Sequence, residues 1–175
     1  MACDLTTGFT LGCRDNSGGV KKIYIAKFDA KTTYTEDGSD VITGMTSSNG
    51  IEFFQYDLQK NTADLSEAQT MDPTMESISY VPTINIVFNK LDTPKRNEML
   101  LMSRTAVVVI VEDRNNRLWL VGKQAGLDLT SSTRATGVNL TDRNGSTLAL
   151  VGSETEPFQE IQFSAFSALI SSVQI

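Results

Sequence analysis

Residues 105–122 read TAVVVIVEDRNNRLWLVG, and the interpretation of this stretch decides the fold. Ala106–Val111 is the longest unbroken apolar run in the chain, six residues. A bilayer crossing needs ~20 such residues, so the run is no membrane span. Its Val and Ile side chains favour a strand. Turn-forming residues follow and then a second apolar run, Leu118–Val121. The pattern predicts a β-hairpin with Asp113 and Asn115 in its turn. Trp119, the single tryptophan, lies inside the returning strand, which suits a packing role at a core or subunit boundary better than a ligand platform.

Further along stands a similar phrase, VNLTDRNGSTLALVG (138–152). Asp142, Asn144 and Gly145 mark a second predicted hairpin turn, because Asn-Gly accepts the positive φ of a tight connection. The polar stretch GLDLTSSTRATG (126–137) is expected to link the two hairpins as a loop. A shared Asp-Arg-Asn is too slight a likeness to make an internal repeat.

Upstream, VKKIYIAKF (20–28) follows the turn residues Asn16–Gly19 and predicts the first strand. Asp29–Gly50 reads as a loop with one short strand near Val41 and Ile42. In IEFFQYDLQKNTADL (51–65), Phe54, Tyr56 and Leu58 alternate with polar residues, the mark of a half-buried strand. Its expected partner is SISYVPTINIVFNK (77–90). There Tyr80, Pro82, Ile84, Ile86 and Phe88 share one face, and Ser79, Thr83, Asn85 and Asn89 share the other with Val81 and Val87. The polar segment between the two, Ser66–Glu76, predicts a mobile hairpin tip. One segment breaks the strand pattern. LDTPKRNEMLLMSRT (91–105) predicts a short helix capped by Thr93, with Pro94 in its first turn and Met99, Leu100 and Met102 as its packing stripe. A last strand is expected at Pro157–Phe163.

This order predicts a mainly-β domain: two packed antiparallel sheets, as a β-sandwich or partly rolled barrel, with one flanking α-helix. Residues 20–175 form the domain and 1–19 an N-terminal arm.

Composition narrows the function. The chain has 15 Lys and Arg against 21 Asp and Glu, a net charge of −6. Clamping a nucleic-acid backbone needs clustered cations, whereas an acidic surface can surround DNA without holding it. Histidine is absent, which removes the commonest general base and metal ligand. No nucleophile motif, P-loop or dinucleotide fingerprint occurs. Asp142–Gly145 fails the spacing of a calcium loop. Glu154 and Glu156 read as a solvated sheet edge rather than an acid/base pair. The expectation is no enzyme, no catalytic or metal-binding residue and no cofactor. Cys3 and Cys13 both lie in the arm, and two thiols there fix no redox compartment. The N-terminus lacks the basic start and apolar run of an export signal, so no membrane partner is expected.

Several stretches, taken in order, resemble the tail tube proteins of tailed bacteriophages, especially a branch among phages of Bacteroidetes. They are MACDLTTG with Cys13 and GGVKKIYIA, then VFNKLDTPKRNEMLLM (87–102), AVVVIVEDRNNRLWLVGKQAG (106–126) and TGVNLTDRNGSTLALVGSETEPF (136–158). The series spans nearly the whole chain. The resemblance implies a virion structural protein whose copies, six to a ring, join their sheets into one inner β-barrel. Rings then stack into a tube through which DNA leaves. Its partners would be further copies of itself, other tail proteins and the phage DNA passing without specific binding. Its place would be the virion tail, assembled in the host cytoplasm.

By the same resemblance, Lys60, Thr62, Asp64, Ser79, Thr83, Asn85 and Asn89 are the expected lumen-facing residues. Ser66, Glu67, Gln69, Met71, Asp72, Met75 and Glu76 would reach the neighbouring ring, and the N-terminal arm would do likewise. Two other readings compete. One is a different ring or completion protein of the tail with the same fold. The other is a β-sandwich that binds carbohydrate or another surface ligand through its loops.

Overall fold

The computed structural model describes residues 8–167. Its elements are β1 (Val20–Lys27), β2 (Thr33–Glu36), β3 (Ile42–Thr46), β4 (Phe54–Asp57), β5 (Ala63–Asp72), β6 (Ser77–Asn89), α1 (Thr93–Met102), β7 (Val107–Asp113), β8 (Leu118–Val121), β9 (Leu127–Ala135), β10 (Gly145–Gly152), β11 (Gln159–Glu160) and α2 (Phe163–Ser167). Gly8–Gly18 carries no regular structure and is exposed. Of the arm's cysteines, Cys13 is exposed, and Cys3 lies outside the described residues.

Nine strands form one hydrogen-bonded antiparallel sheet, while β2 and β3 pair separately. The expectation of two large packed sheets therefore needs correction: the large sheet is one, folded into two leaves. One leaf runs β4-β1-β7-β8-β11 and the other β9-β10-β6-β5. They join where β7 meets β9 at the single pair Val107↔Leu127. The corner between β8 and β9 turns on Gly122 and Gly126, both at positive φ, +83° and +79°. A Cβ at Gly126 would press on Phe28 and Ala106 at 3.0–3.1 Å, so the tight corner requires glycine.

The leaves face each other across one apolar core. Ile23, Ile25, Val107, Val109 and Val111 project from the first leaf to meet Ile84, Ile86, Leu148 and Leu150 of the second. The opposite face of the first leaf is buried too. Tyr24, Val108, Ile110, Leu118 and Leu120 lie under Ile42, Phe53 and Phe166. β7 is thus covered on both sides, which is why 107–111 reads as a continuous apolar run instead of an alternating one. Burial pushes the Tyr24 hydroxyl up to about 12, with Glu112 adding to the shift.

Four local expectations are revised. The run 51–65 is two strands, because the chain turns at Lys60–Asn61, where Asn61 has φ +62°. β4 pairs with β1 and β5 with β6. Phe53 is fully buried there and Phe54 is exposed, so the alternation fails at Phe54, whereas Tyr56 and Leu58 do pack on the core. The stretch 126–137 contains β9 instead of being a loop. Its Ser and Thr side chains suit a strand whose faces are wet, and polarity alone disguised it. Asn144 and Gly145 accordingly close no tight hairpin. Gly145 begins β10, opposite Ala135 on one side and Asn89 on the other. Asp142 instead organises the β9–β10 loop by accepting the N–H groups of Val138 and Asn139 at 2.9 and 2.8 Å.

The helix cap is Asp92, whose carboxylate accepts the Lys95 N–H at 3.0 Å. Asp competes with Thr as an N-cap. Met99 and Met102 are buried, whereas Leu100 is 43% exposed. The expected last strand shortens to β11, and Phe163 starts a one-turn helix.

Candidate functional site

The second leaf offers the surface most open to partners. Its inward face carries the core. No strand or helix among the described residues pairs over its outward face, which only the base of the arm, Gly18 and Gly19, borders beside Asp64 and Asn85, and its composition follows from strand alternation. On β5 and β6 the outward pairs are Asp64↔Asn85, Ser66↔Thr83, Ala68↔Val81 and Thr70↔Ser79. Thr147 and Ala149 continue the face on β10, opposite Thr133 and Ser131 of β9. A register shift between Ala149 and Leu150 then brings Asp128 opposite Val151. The residues are small and mostly neutral. No Lys or Arg occupies a strand position on this face, though Arg143 reaches in from the β9–β10 loop and donates to Thr147 Oγ1 at 2.8 Å.

Of the expected lumen residues, Asp64, Ser79, Thr83, Asn85 and Asn89 do share this face. Asn85 donates to Asp64 at 3.0 Å, and Asn89 to Gln59 at 2.6 Å. Lys60 and Thr62 do not stand on the strand. Lys60 sits in the turn before β5, at the end of the face, and the Thr62 hydroxyl is spent on the Gln59 carbonyl at 2.7 Å. The displacement of Lys60 removes the one cation that strand alternation had put among the lumen residues.

The expected tip residues divide as well. β5 continues to Asp72, so the turn spans only Pro73–Glu76. Ser66 belongs to the outward face with Thr83. Glu67 points to the other side, where its carboxylate accepts the Phe158 N–H at 3.0 Å. Burial pushes the Glu67 carboxyl above the usual carboxylate range; the Phe158 N–H opposes that shift and nearby Glu154 adds to it. Gln69 and Met71 lie on that same side but beyond the core. Only Met71, Asp72, Met75 and Glu76 reach the tip, where Met71 and Met75 are 64% and 75% exposed.

Both lateral margins of this leaf are open among the described residues. β5 pairs with β6 alone. β9 pairs with β10, and its other side meets β7 only at Leu127. Val87 N donates to Thr62 O at 2.7 Å, which fixes the β5 ladder: even-numbered residues bond to β6, and Leu65, Glu67, Gln69 and Met71 aim their backbone groups outward. Sequence patterning places neither margin, because a polar stretch such as 126–137 has the pattern of a loop.

Turn residues of the first hairpin have a structural part. Asp113 Oδ1 accepts the N–H groups of Asn115 and Arg117 at 2.8 and 2.9 Å. Asn115 in turn holds the base of the arm by donating to Asn16 Oδ1 and Ser17 O. Glu154, expected at a solvated edge, is buried, and its carboxylate takes the N–H groups of Gln124 and Ala125.

Beside the sheet lies a groove of 570 Å³ whose walls include Ile78, Tyr80, Trp119 and Phe158. Trp119 packs edge-on against Phe158, ring centres 5.4 Å apart. Among the described residues no three His, Cys, Asp or Glu side chains are grouped to hold a metal ion. None of the helices there is long and apolar enough to cross a membrane. No protein-family model matches the sequence, and no curated protein matches it.

Proposed function

We propose that this chain is the subunit of a bacteriophage tail tube, assembling into stacked rings around a channel for DNA. One observation carries the reading: a four-stranded antiparallel leaf, open at both margins, turns a small, neutral-to-acidic face away from its core. Unpaired strand margins invite another strand. In the order β9-β10-β6-β5 every neighbour is antiparallel, so β9 and β5 run in opposite directions. Rotating a second copy about an axis along the strands therefore sets its β9 antiparallel to the first copy's β5. The ten residues of β5 and the nine of β9 are matched in length.

A rotation repeated to closure leaves no margin exposed. If the ring is six-fold, as the family resemblance implies, it holds about 24 strands. At ~4.8 Å spacing and ~40° tilt its backbone radius is roughly 24 Å, and the bore between side chains roughly 40 Å. Duplex DNA passes such a bore with a layer of water. The polar outward residues keep the wall wet, and the lack of strand-borne cations keeps phosphates from sticking.

Electron microscopy of the purified full chain tests the reading. Rings or hollow tubes are expected. A field of monomers at high concentration would overturn it. The groove beside Trp119 favours a second reading, a monomeric module that binds carbohydrate on its aromatic wall, and glycan binding by a stable monomer would select that instead. Rings that cap a tail without elongating would select the other ring or completion proteins of the tail.

A further inference from the structure

The two ends of the second leaf carry complementary surfaces. At one end is the β5–β6 tip. Asp72 Oδ1 is used within it, accepting Thr74 N and Met75 N at 2.8 and 3.2 Å. Glu76 is exposed, is held at φ +52°, and its carboxylate has no hydrogen bond or ion pair among the described residues. Met71, Met75 and Ile78 add exposed apolar surface to the same tip. Large exposed side chains grouped this way at a projecting tip mark an interaction surface.

At the other end the β9–β10 loop exposes Val138 and Leu140 completely. Next to that loop is a cleft of 280 Å³ between the first turn of α1 and the ends of β9 and β10. Arg96, Arg134, Lys95, Asp92 and Ser146 line it. Lys95 is already engaged, by Asp92 at 3.2 Å and by two backbone carbonyls. Asp92 is engaged in return as the helix cap. Arg134 has no ion pair among the described residues, and Arg96 bonds only the amide oxygen of Asn97, at 3.2 Å. Ser146 is 2% exposed, and its hydroxyl has no partner among the described residues. The groups left over are two guanidinium forks and the hydroxyl of Ser146, which opens onto the cleft. Together they ask for an oxygen acceptor of negative charge, and a carboxylate fits both forks.

The same strand connects the two ends. β6 leaves the tip at Ser77 and, as a strand of 13 residues, reaches the cleft's border at Asn89, a length of about 40 Å. We infer that the cleft of Arg96, Arg134 and Ser146 receives Glu76 of a second copy, joining copies head to tail along the strand direction. This rests on the tube reading for its ring, but the pairing itself needs only two copies. Met71 and Met75 then meet Val138 and Leu140. Because donor and acceptor are different patches, the contact repeats without closing and makes a stack of open length.

The test uses the full chain and three variants: Glu76→Lys, Arg134→Glu and the two combined. All changed positions are exposed, and circular dichroism checks that each variant folds. Stack length is read by negative-stain microscopy and by sedimentation, at low and raised NaCl. Each single reversal is expected to shorten stacks roughly tenfold, and the charge-swapped double variant to restore them. Salt should shorten wild-type stacks in the same direction. Stacks indifferent to both reversals, or a double variant no better than the singles, would overturn the pairing, as would rings that never stack. Threads of single copies without rings would keep the pairing and discard the closed ring.

Discussion

Trp119 donates its indole N–H to Asp113 Oδ2 across 3.2 Å, tying the returning strand of the β7–β8 hairpin to the turn that produced it. The other oxygen of the same carboxylate holds Asn115 N and Arg117 N. One side chain therefore satisfies three donors. Asp113→Ala leaves all three without that acceptor and is expected to cost about 1–3 kcal/mol. Asp113→Asn keeps one carbonyl oxygen and should cost less. Urea unfolding of the subunit under non-assembling conditions reads both. Equal stability of wild type and the alanine variant would show that the hairpin holds without its turn carboxylate.

Gly145 lies against β6 so closely that a Cβ there would overlap the Phe88 carbonyl oxygen and crowd the Asn89 Cα at 3.1 Å. Both obstacles are backbone, so the strands must part for any side chain to fit. Gly145→Ala is expected to destabilise the subunit by about 1–3 kcal/mol. Gly38→Ala, where a Cβ meets nothing within 4 Å, serves as the neutral control.

These two glycine-and-turn sites show what a single sequence reveals and what it hides. Asp113–Asn116 was legible because its flanks are unmistakably apolar. The identical Asp-Arg-Asn at 142–144 misled, because its flank at 127–135 is a strand without a buried side beyond Leu129. Alternation cannot signal a strand with two wet faces. The break at Lys60–Asn61 was hidden for the opposite reason. Tyr56, Leu58, Ala63 and Leu65 all pack on one core, so the apolar pattern runs on while the chain changes partner. Five of the seven expected lumen residues share a face because β6 alternates cleanly. The open margins and the arginine cleft depend on pairing between distant segments, which no local pattern carries.

The outward backbone groups of β5 give a direct test of lateral closure. Gln69 is exposed, and its N–H points away from β6. Gln69→Pro deletes that donor and spares the β5–β6 ladder. The subunit should stay folded, with an unchanged circular dichroism spectrum, while rings fail to form. Rings of normal number and stability from this variant would show that β5 is not the joining margin.

The outward face makes a separate prediction. If the proposed tube is right, Thr83→Lys with Asn85→Lys places two cations on a channel wall that now has none on a strand. Assembly should survive, because neither side chain lies in the core or at a margin. DNA passage should slow, most at low ionic strength, since each new phosphate contact strengthens binding in a salt-dependent way. Dye-release kinetics of packaged DNA from assembled particles would measure it. Unchanged kinetics at low salt would remove this face from the channel wall.

Glu67 predicts the pH response of the subunit. Burial raises its carboxyl above the ordinary value of 4.5, against the pull of the Phe158 N–H and with help from Glu154. Between the ordinary and the raised value, the folded chain keeps a proton that the unfolded chain has released. Stability from this group therefore falls as pH rises through that window, and stays lower above it. Glu67→Gln removes the ionisation while its amide oxygen still accepts the Phe158 N–H. The variant should melt at a higher temperature than wild type at neutral pH, and the gap should close below the ordinary glutamate range. Thermal unfolding across the acidic and neutral range checks this. A variant that melts at or below the wild-type temperature at neutral pH would mean that the ionised Glu67 is held favourably after all.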